Sequence, residues 1–246
     1  MPPPVDPWIP FRKPRPGAKI RLFCFPYAGG GASVFRGWQE ELPATIEVCA
    51  VQLPGREGRL REKPVPDLTA LVSMIAGGLA PHLDMPFAFF GYSMGSWIGF
   101  ELCRELRRHG GPAPRRLVVA ACPAPHIPDD DATHHLPDEE LIERLRDLGG
   151  MSPEVLAHRE LMDMILPVFR ADAAVTETHR HVEEPPLDVP IHAMGGLSDE
   201  KAGRADMEAW QRHTTGAFAL QMFPGGHFFL QTARATLIEA IGKALG

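Results

Sequence analysis

No stretch of the 246-residue chain approaches the roughly 18 consecutive apolar positions that a membrane-crossing helix requires, so no membrane is expected among its partners. Cysteine is scarce. Cys24, Cys49, Cys103 and Cys122 each sit in an apolar segment and form no C-x-x-C pair, which speaks for buried, reduced thiols and against disulfides or a zinc site. There is no lysine-rich block and the formal net charge is -6, so the concentrated basic face that nucleic-acid phosphates need is missing. No G-K-[ST] follows the glycines at 29, 30 and 31, and no G-x-G-x-x-G with a later acidic partner occurs, which disfavours a nucleotide phosphate loop. H-E-x-x-H is also missing, and the H-x-H of His179 and His181 lacks further ligands at workable spacing, so neither metal nor cofactor is expected. The opening MPPPVDPWIPFRKPRPGAKI has too many prolines for a secretory core and no small-residue cleavage pattern. Residues 1–18 are therefore expected to form an extended, proline-rich, non-targeting tail of a cytoplasmic protein.

What remains is ordinary globular usage, long enough for one large α/β domain or a core with a modest insertion. Short apolar runs alternate with amphipathic ones. KIRLFCF, IEVCAVQL, PFAFFGY and RRLVVAAC predict strands, and VFRGWQEEL, DLTALVSMIAGGLAPHL and MGSWIGFELCRELRRHG predict helices between them. Asp67 is placed to cap the second of these helices, whose Leu68, Leu71, Ile75 and Leu79 share a face. Such alternation predicts a mostly parallel central sheet with helices on both faces.

The pattern breaks between residues 123 and 185. LPDEELIERLRDLGG places Leu141, Ile142, Leu145 and Leu148 along one stripe, and a longer segment starts at Ser152 and Pro153, with Pro167 expected to kink or divide it. The run Asp129 to Asp131 fits a solvated entrance or a helix cap. Alternation then resumes with IHAMGGL, KAGRADMEAWQRH, AFALQMF and a final helix, so residues 19–122 and 186–246 read as one core interrupted by a helical insertion.

Gly91-Tyr92-Ser93-Met94-Gly95 fits G-x-S-x-G between a predicted strand and a predicted helix, the setting of a nucleophile elbow. The glycines permit a sharp turn that lifts the Ser93 hydroxyl above the sheet, while the helix start aims backbone N–H groups at the same point. A serine hydroxyl is a poor nucleophile at neutral pH and needs a base oriented by an acid. His227, in FPGGHFFL before the last helix, is the base candidate; His82, His109, His158 and His213 lie on or at the ends of helices, where solvent or capping roles suffice. Asp199, in the turn after a strand, is the acid candidate at the edge where open α/β sheets bind ligands, whereas Asp188 precedes that strand and lies at the wrong edge. Acyl transfer also needs donors for an oxyanion, and the N–H groups of Met94 and Ala28 are the candidates.

Taken together, LFCFPYAGGGASVFRGW, VQLPGREGRL, FFGYSMGSWIGFELCREL, LPDEELIERLRDLGG, GGLSDEK with Trp210 downstream, and FPGGHFFL resemble the type II thioesterases of polyketide and nonribosomal peptide synthesis. The resemblance spans nearly the whole chain after the tail. It implies the α/β-hydrolase fold, a Ser93–Asp199–His227 triad, an oxyanion hole from Ala28 and Met94, and a helical lid at 123–185 over an acyl chamber. It further implies an enzyme that hydrolyses acyl or aminoacyl thioesters on the phosphopantetheine arm of carrier proteins, or, as in some relatives, releases medium-chain fatty acids; a monomer is expected. An oxygen-ester esterase of the same fold and a non-catalytic carrier-binding protein are the alternatives. Arg56, Arg59 and Arg61 either meet the pantetheine phosphate or an acidic carrier face, or form a solvated loop. Met151, Met162 and Met164 either line an acyl tunnel or belong to the core. Two features depart from the family: Tyr92 replaces a frequent histidine, with its side chain expected to point away from the hydroxyl, and Ala173, His179 and His181 stand where aromatic residues are usual.

Overall fold

Six apolar runs form the strands β1 (Ile20–Phe25), β2 (Ile46–Ala50), β3 (Phe87–Tyr92), β4 (Leu117–Ala120), β5 (Ile191–Gly196) and β6 (Phe218–Phe223) in a computed structural model that describes residues 5–128, 133–148 and 152–246. Every neighbouring pair is parallel, in the order β2-β1-β3-β4-β5-β6. Burial on both faces explains why β1 to β4 read as apolar stretches without alternation, broken only by Arg21 in β1 and Glu47 in β2, which pair with each other. Because β2 lies to one side of β1 and all later strands to the other, the chain reverses direction across the sheet between β1 and β3. A crevice therefore opens beyond the carboxyl ends of these two strands.

The helices are α1 (Trp38–Glu41), α2 (Leu68–Leu79), α3 (Met94–Arg108), α4 (Asp138–Leu148), α5 (Pro153–Leu156), α6 (Arg159–Glu177), α7 (Arg204–Glu208), α8 (Phe229–Thr232) and α9 (Arg234–Leu245). Phe23, Phe25 and Phe89 pack with Leu71, Ile75, Ile98 and Leu102 of α2 and α3 on one face of the sheet. On the other face, Leu22, Cys24 and Phe90 pack with Trp38, Leu237 and Ile241 of α1 and α9. Asp67 caps α2 by accepting the Ala70 N–H at 2.7 Å, as its position predicts. All four cysteines are buried, and none is in a disulfide among the described residues. No helix among the described residues is long and apolar enough to cross a membrane.

From residue 5 onward the N-terminal segment is fastened to the core. Ile9 is buried, Asp6 accepts the Trp8 N–H, and Gln52 donates its backbone N–H to the Trp8 carbonyl at 2.8 Å. Arg12, the Arg15 backbone N–H and Arg21 converge on the buried carboxylate of Glu47. Burial alone would raise that carboxyl, but the bonds from Arg15, Arg21 and Arg12 outweigh it and hold it below the usual range.

Between β4 and β5 the chain forms α4 to α6 around a small apolar core of Leu141, Leu145, Leu156, Met162, Leu166, Phe169 and Ala173. Pro167 does not divide the long segment. It lies inside α6, and the break falls at His158, which caps α6 by accepting the Leu161 N–H. Ser152 and Pro153 start α5 as expected. Asp129 to Asp131 and Met151 lie outside the described residues.

The return from this segment into β5 is fastened by charge. Arg104, Arg107 and Arg108 of α3 all reach Glu184, at 2.8, 2.8 and 2.6 Å. Burial would raise the Glu184 carboxyl, but hydrogen bonds from Arg104, Arg108 and Arg107 prevail and push it down from 4.5 to about 2. Its stabilisation is thus complete above the unfolded value and is lost as pH falls through the folded one. Glu184→Gln is expected to cost about 1–2 kcal/mol at pH 7 after solvent screening, with the gap from native closing towards pH 2 in urea melts at a series of pH values.

Candidate active site

The site starts from backbone crowding at the end of β3. Ser93 has φ +52° and ψ -122°, a strained conformation for a residue with a side chain, and α3 begins at the next residue. Its flanking glycines are obligatory. A Cβ on Gly91 would stand 2.1 Å from the Gly95 carbonyl oxygen, and one on Gly95 would stand 2.2 Å from the Phe25 oxygen. The turn can therefore pass over β1 only without side chains there, and it leaves the Ser93 hydroxyl above the crevice.

His227 comes to this hydroxyl from the turn after β6. Gly225, with φ +111°, makes the bend, and Gly196 at the end of β5 admits the loop so closely that a Cβ would lie 2.6 Å from the Gly226 oxygen. His227 Nε2 lies 3.2 Å from Ser93 Oγ, and Nδ1 lies 3.0 and 3.2 Å from the two carboxylate oxygens of Asp199. The carboxylate fixes the tautomer: Nδ1–H donates to Asp199, and Nε2 is left to accept from serine. Asp199 also accepts the N–H groups of Lys201 and Ala202, which holds its carboxylate in the turn after β5, while the N-cap of α7 is Gly203. The three residues singled out in sequence are thus brought into one hydrogen-bonded line.

Tyr92 points away from Ser93, as expected, but it is not idle. Its buried hydroxyl donates to the His227 carbonyl and accepts the Leu230 N–H at 3.1 Å, so it holds the histidine loop from behind. Burial pushes the phenol well above its usual value, so it stays a donor at any working pH. Sequence reasoning missed this role; the available signal was a tyrosine at the end of a buried strand, where a hydroxyl must find a partner. Tyr92→Phe leaves the His227 carbonyl and the Leu230 N–H without that partner. It is expected to cost about 1–2 kcal/mol of stability and about threefold to tenfold in kcat, measured by chemical denaturation and steady-state assay.

Ala28 and Met94 border the same cavity, of about 520 Å³, which also takes in Ser93 and His227. Trp97, Ile127, Phe169 and Ala173 supply apolar wall, and Arg144, Asp147, Glu200 and Lys201 supply charge. Glu177 closes one side. It accepts the backbone N–H groups of Thr133 and His134 at 2.9 Å each, which anchors the chain where it enters α4. Burial would raise that carboxyl, but the bonds from Thr133 and His134 keep it below the usual range.

Other sequence expectations are corrected. Arg56 and Arg59 are buried, not docking residues: Arg56 pairs with Asp172, and Arg59 lies 4.0 Å over the Trp8 ring while bonding Gln52 and Glu62. Arg61 alone of the three is exposed. Of the two readings for the methionines, the core one holds for Met162, Met164 is exposed, and neither lines the cavity. His213 is not at the surface: it is buried and shares a 2.7 Å hydrogen bond with His126. Burial first, then the neighbouring His126 and His181, push it down to about 3. His179 and His181 pack on Trp97 and Phe100.

The thioesterase domain model matches residues 20–245. The gramicidin S biosynthesis protein GrsT of Aneurinibacillus migulanus is 41% identical over 242 residues, covering 98% of this chain and 94% of that one. The linear gramicidin dehydrogenase LgrE of Brevibacillus parabrevis is 42% identical over 242 residues, covering 97% and 92%. Among solved structures, the RedJ thioesterase from the prodiginine biosynthetic pathway of Streptomyces coelicolor superposes with a TM-score of 0.88 at 42% identity, over 94% of this chain and 88% of that one. With a family model along nearly its full length and relatives this similar over nearly all of theirs, the chain belongs to the thioesterase family, on the α/β-hydrolase fold.

Proposed function

We propose that this thioesterase removes acyl and aminoacyl groups from the phosphopantetheine arm of carrier-protein domains in a polyketide or nonribosomal peptide pathway, clearing stalled or wrongly loaded intermediates. The observation that carries the reading is the unbroken line from Asp199 through His227 to Ser93, opening onto a cavity with an apolar wall. Kinship with GrsT and RedJ, named for gramicidin S and prodiginine biosynthesis, supports the kind of pathway.

In the proposed mechanism His227 Nε2 takes the Ser93 proton as Oγ attacks the thioester carbonyl carbon. The carbonyl oxygen becomes an oxyanion held by the N–H groups of Ala28 and Met94, the second at the start of α3 where the helix dipole favours negative charge. Asp199 keeps the imidazolium oriented and stabilised. Collapse breaks the carbon–sulfur bond, the pantetheine thiol leaves with the proton from His227, and an acyl-serine remains. Water, deprotonated by His227, attacks this ester, and the return of the proton to Oγ restores the enzyme. No cofactor enters any step; the acyl group arrives on the arm of its carrier.

The test is a panel of acyl and aminoacyl groups carried on holo carrier protein, on a small pantetheine-like thiol and as matched oxygen esters. Carrier-bound thioesters are expected to exceed oxygen esters by about tenfold or more in kcat/KM. Equal or better turnover of oxygen esters sinks the thioester reading, and activity confined to medium-chain fatty acyl groups moves the protein out of an editing role.

A further inference from the structure

Between β2 and α2 the sequence PGREGRL is rich in charge, yet Arg56 is withdrawn from solvent. Its partner, Asp172 on α6, is 1% exposed. The guanidinium forks onto the carboxylate, with Nη2 at 2.8 Å from Oδ1 and Nη1 against Oδ2. Asp172 Oδ2 also accepts the Gly29 N–H at 2.7 Å, and Arg56 Nη1 also donates to the Gly30 carbonyl at 3.3 Å. These two glycines directly follow Ala28. The loop is held further along as well, since Gln52 Oε1 accepts the Ala32 N–H at 3.1 Å and the Glu57 carboxylate accepts the Ser33 N–H.

We propose that Asp172 and Arg56 are positioning residues for the oxyanion hole, fixing the direction of the Ala28 N–H from a helix of the segment between β4 and β5. The inference rests on the triad and oxyanion reading above. Asp172 fixes the plane of the peptide joining Ala28 to Gly29, the Tyr27 carbonyl accepts the Gly30 N–H at 2.9 Å and so fixes the plane of the peptide that carries the Ala28 N–H, and Arg56 holds the Gly30 carbonyl, so Ala28 is left little freedom in φ and ψ. Gly29 itself has φ +78° and could otherwise swing, because glycine crosses that region at no steric cost. A donor aimed in advance at a developing oxyanion stabilises the transition state far more than one that must reorganise. Arg56 has a second effect: it neutralises a carboxylate that would otherwise oppose negative charge at the neighbouring amides.

Two double variants separate the acceptor from the charge: Arg56→Met with Asp172→Leu, and Arg56→Met with Asp172→Asn. Both remove the buried ion pair, which apolar replacement of both partners tolerates, and they differ in the oxygen offered to Gly29. A small acyl thioester gives kcat and KM, and an acyl trifluoromethyl ketone, which adds Ser93 and carries an oxyanion, reports on the hole. The leucine variant is expected to lose about tenfold to a hundredfold in kcat and in ketone affinity together, with KM within about twofold of native. The asparagine variant is expected to recover at least about fivefold of both, because its amide oxygen can still accept from Gly29. A merely structural pair would lower the melting temperature and leave kcat and ketone affinity per folded molecule unchanged, and that result overturns the proposal. So does a loss in KM alone, equal values for the two variants, or failure of both to fold. Ser93→Ala is measured alongside. If it stays active, the triad reading falls first; if it is inactive while the leucine variant is fully active, only the positioning role falls.

Discussion

Ser93→Ala is expected to lower kcat by about 10⁴-fold or more while changing folding stability by less than about 1 kcal/mol. The asymmetry follows from the site. Removing Oγ takes away the hydroxyl that stands 3.2 Å from His227 Nε2, and no base can then act on a nucleophile that is not there. Alanine keeps the Cβ and so inherits the same strain at φ +52°, which the packing of Gly91 and Gly95 imposes on any side chain at that position. Labelling by a serine-directed phosphonate should disappear with the activity, and thermal melts should superpose on those of the native protein. Residual turnover above about one part in a hundred would remove Ser93 from the chemistry.

Gly95→Ala is expected to have the opposite profile, a failure of folding before any question of rate. The added methyl would meet the Phe25 carbonyl oxygen at 2.2 Å and the Pro26 oxygen at 2.8 Å, both backbone atoms at the end of a central strand. Neither can move without parting β1 from β3, so a loss of more than about 4 kcal/mol is expected, seen as insoluble or molten protein. Gly77→Ala is the control. That glycine is exposed on α2 and a Cβ there meets nothing within 4 Å, so alanine should stabilise by about 0.5–1 kcal/mol. Equal melting temperatures for the two variants would refute the crowding account of the elbow.

The elements that hold Ser93, Asp199 and His227 were legible because each is announced locally. An apolar run of four to six residues, a glycine-bounded serine and a helix start are statements about neighbours in sequence. What escaped detection depends on distance. Arg56 looks like a solvated residue until Asp172, 116 positions on, turns out to be its partner. His213 looks like the polar end of a helix until His126 arrives from the turn after β4. Tyr92 looks neutral until the chain returns 135 residues later to place the His227 carbonyl on its hydroxyl. The misplaced break at Pro167 has another cause: a proline forfeits one bond of a helix, and the packing of Met162, Leu166 and Phe169 against Leu141 and Leu145 is enough to carry α6 through it.

The outer margin of β2 has a consequence beyond the site. There the Val48 N–H is taken by the Gln39 side chain at 3.2 Å, and the Ile46 carbonyl by the Arg15 guanidinium at 3.1 Å. A foreign strand arriving along that border would find two of its ladder rungs already taken, and would have to evict an arginine and a glutamine to gain them. Deleting the first eighteen residues would unstopper this border, so the shortened chain should clump on standing at concentrations where the full one stays clear, without any change at the serine.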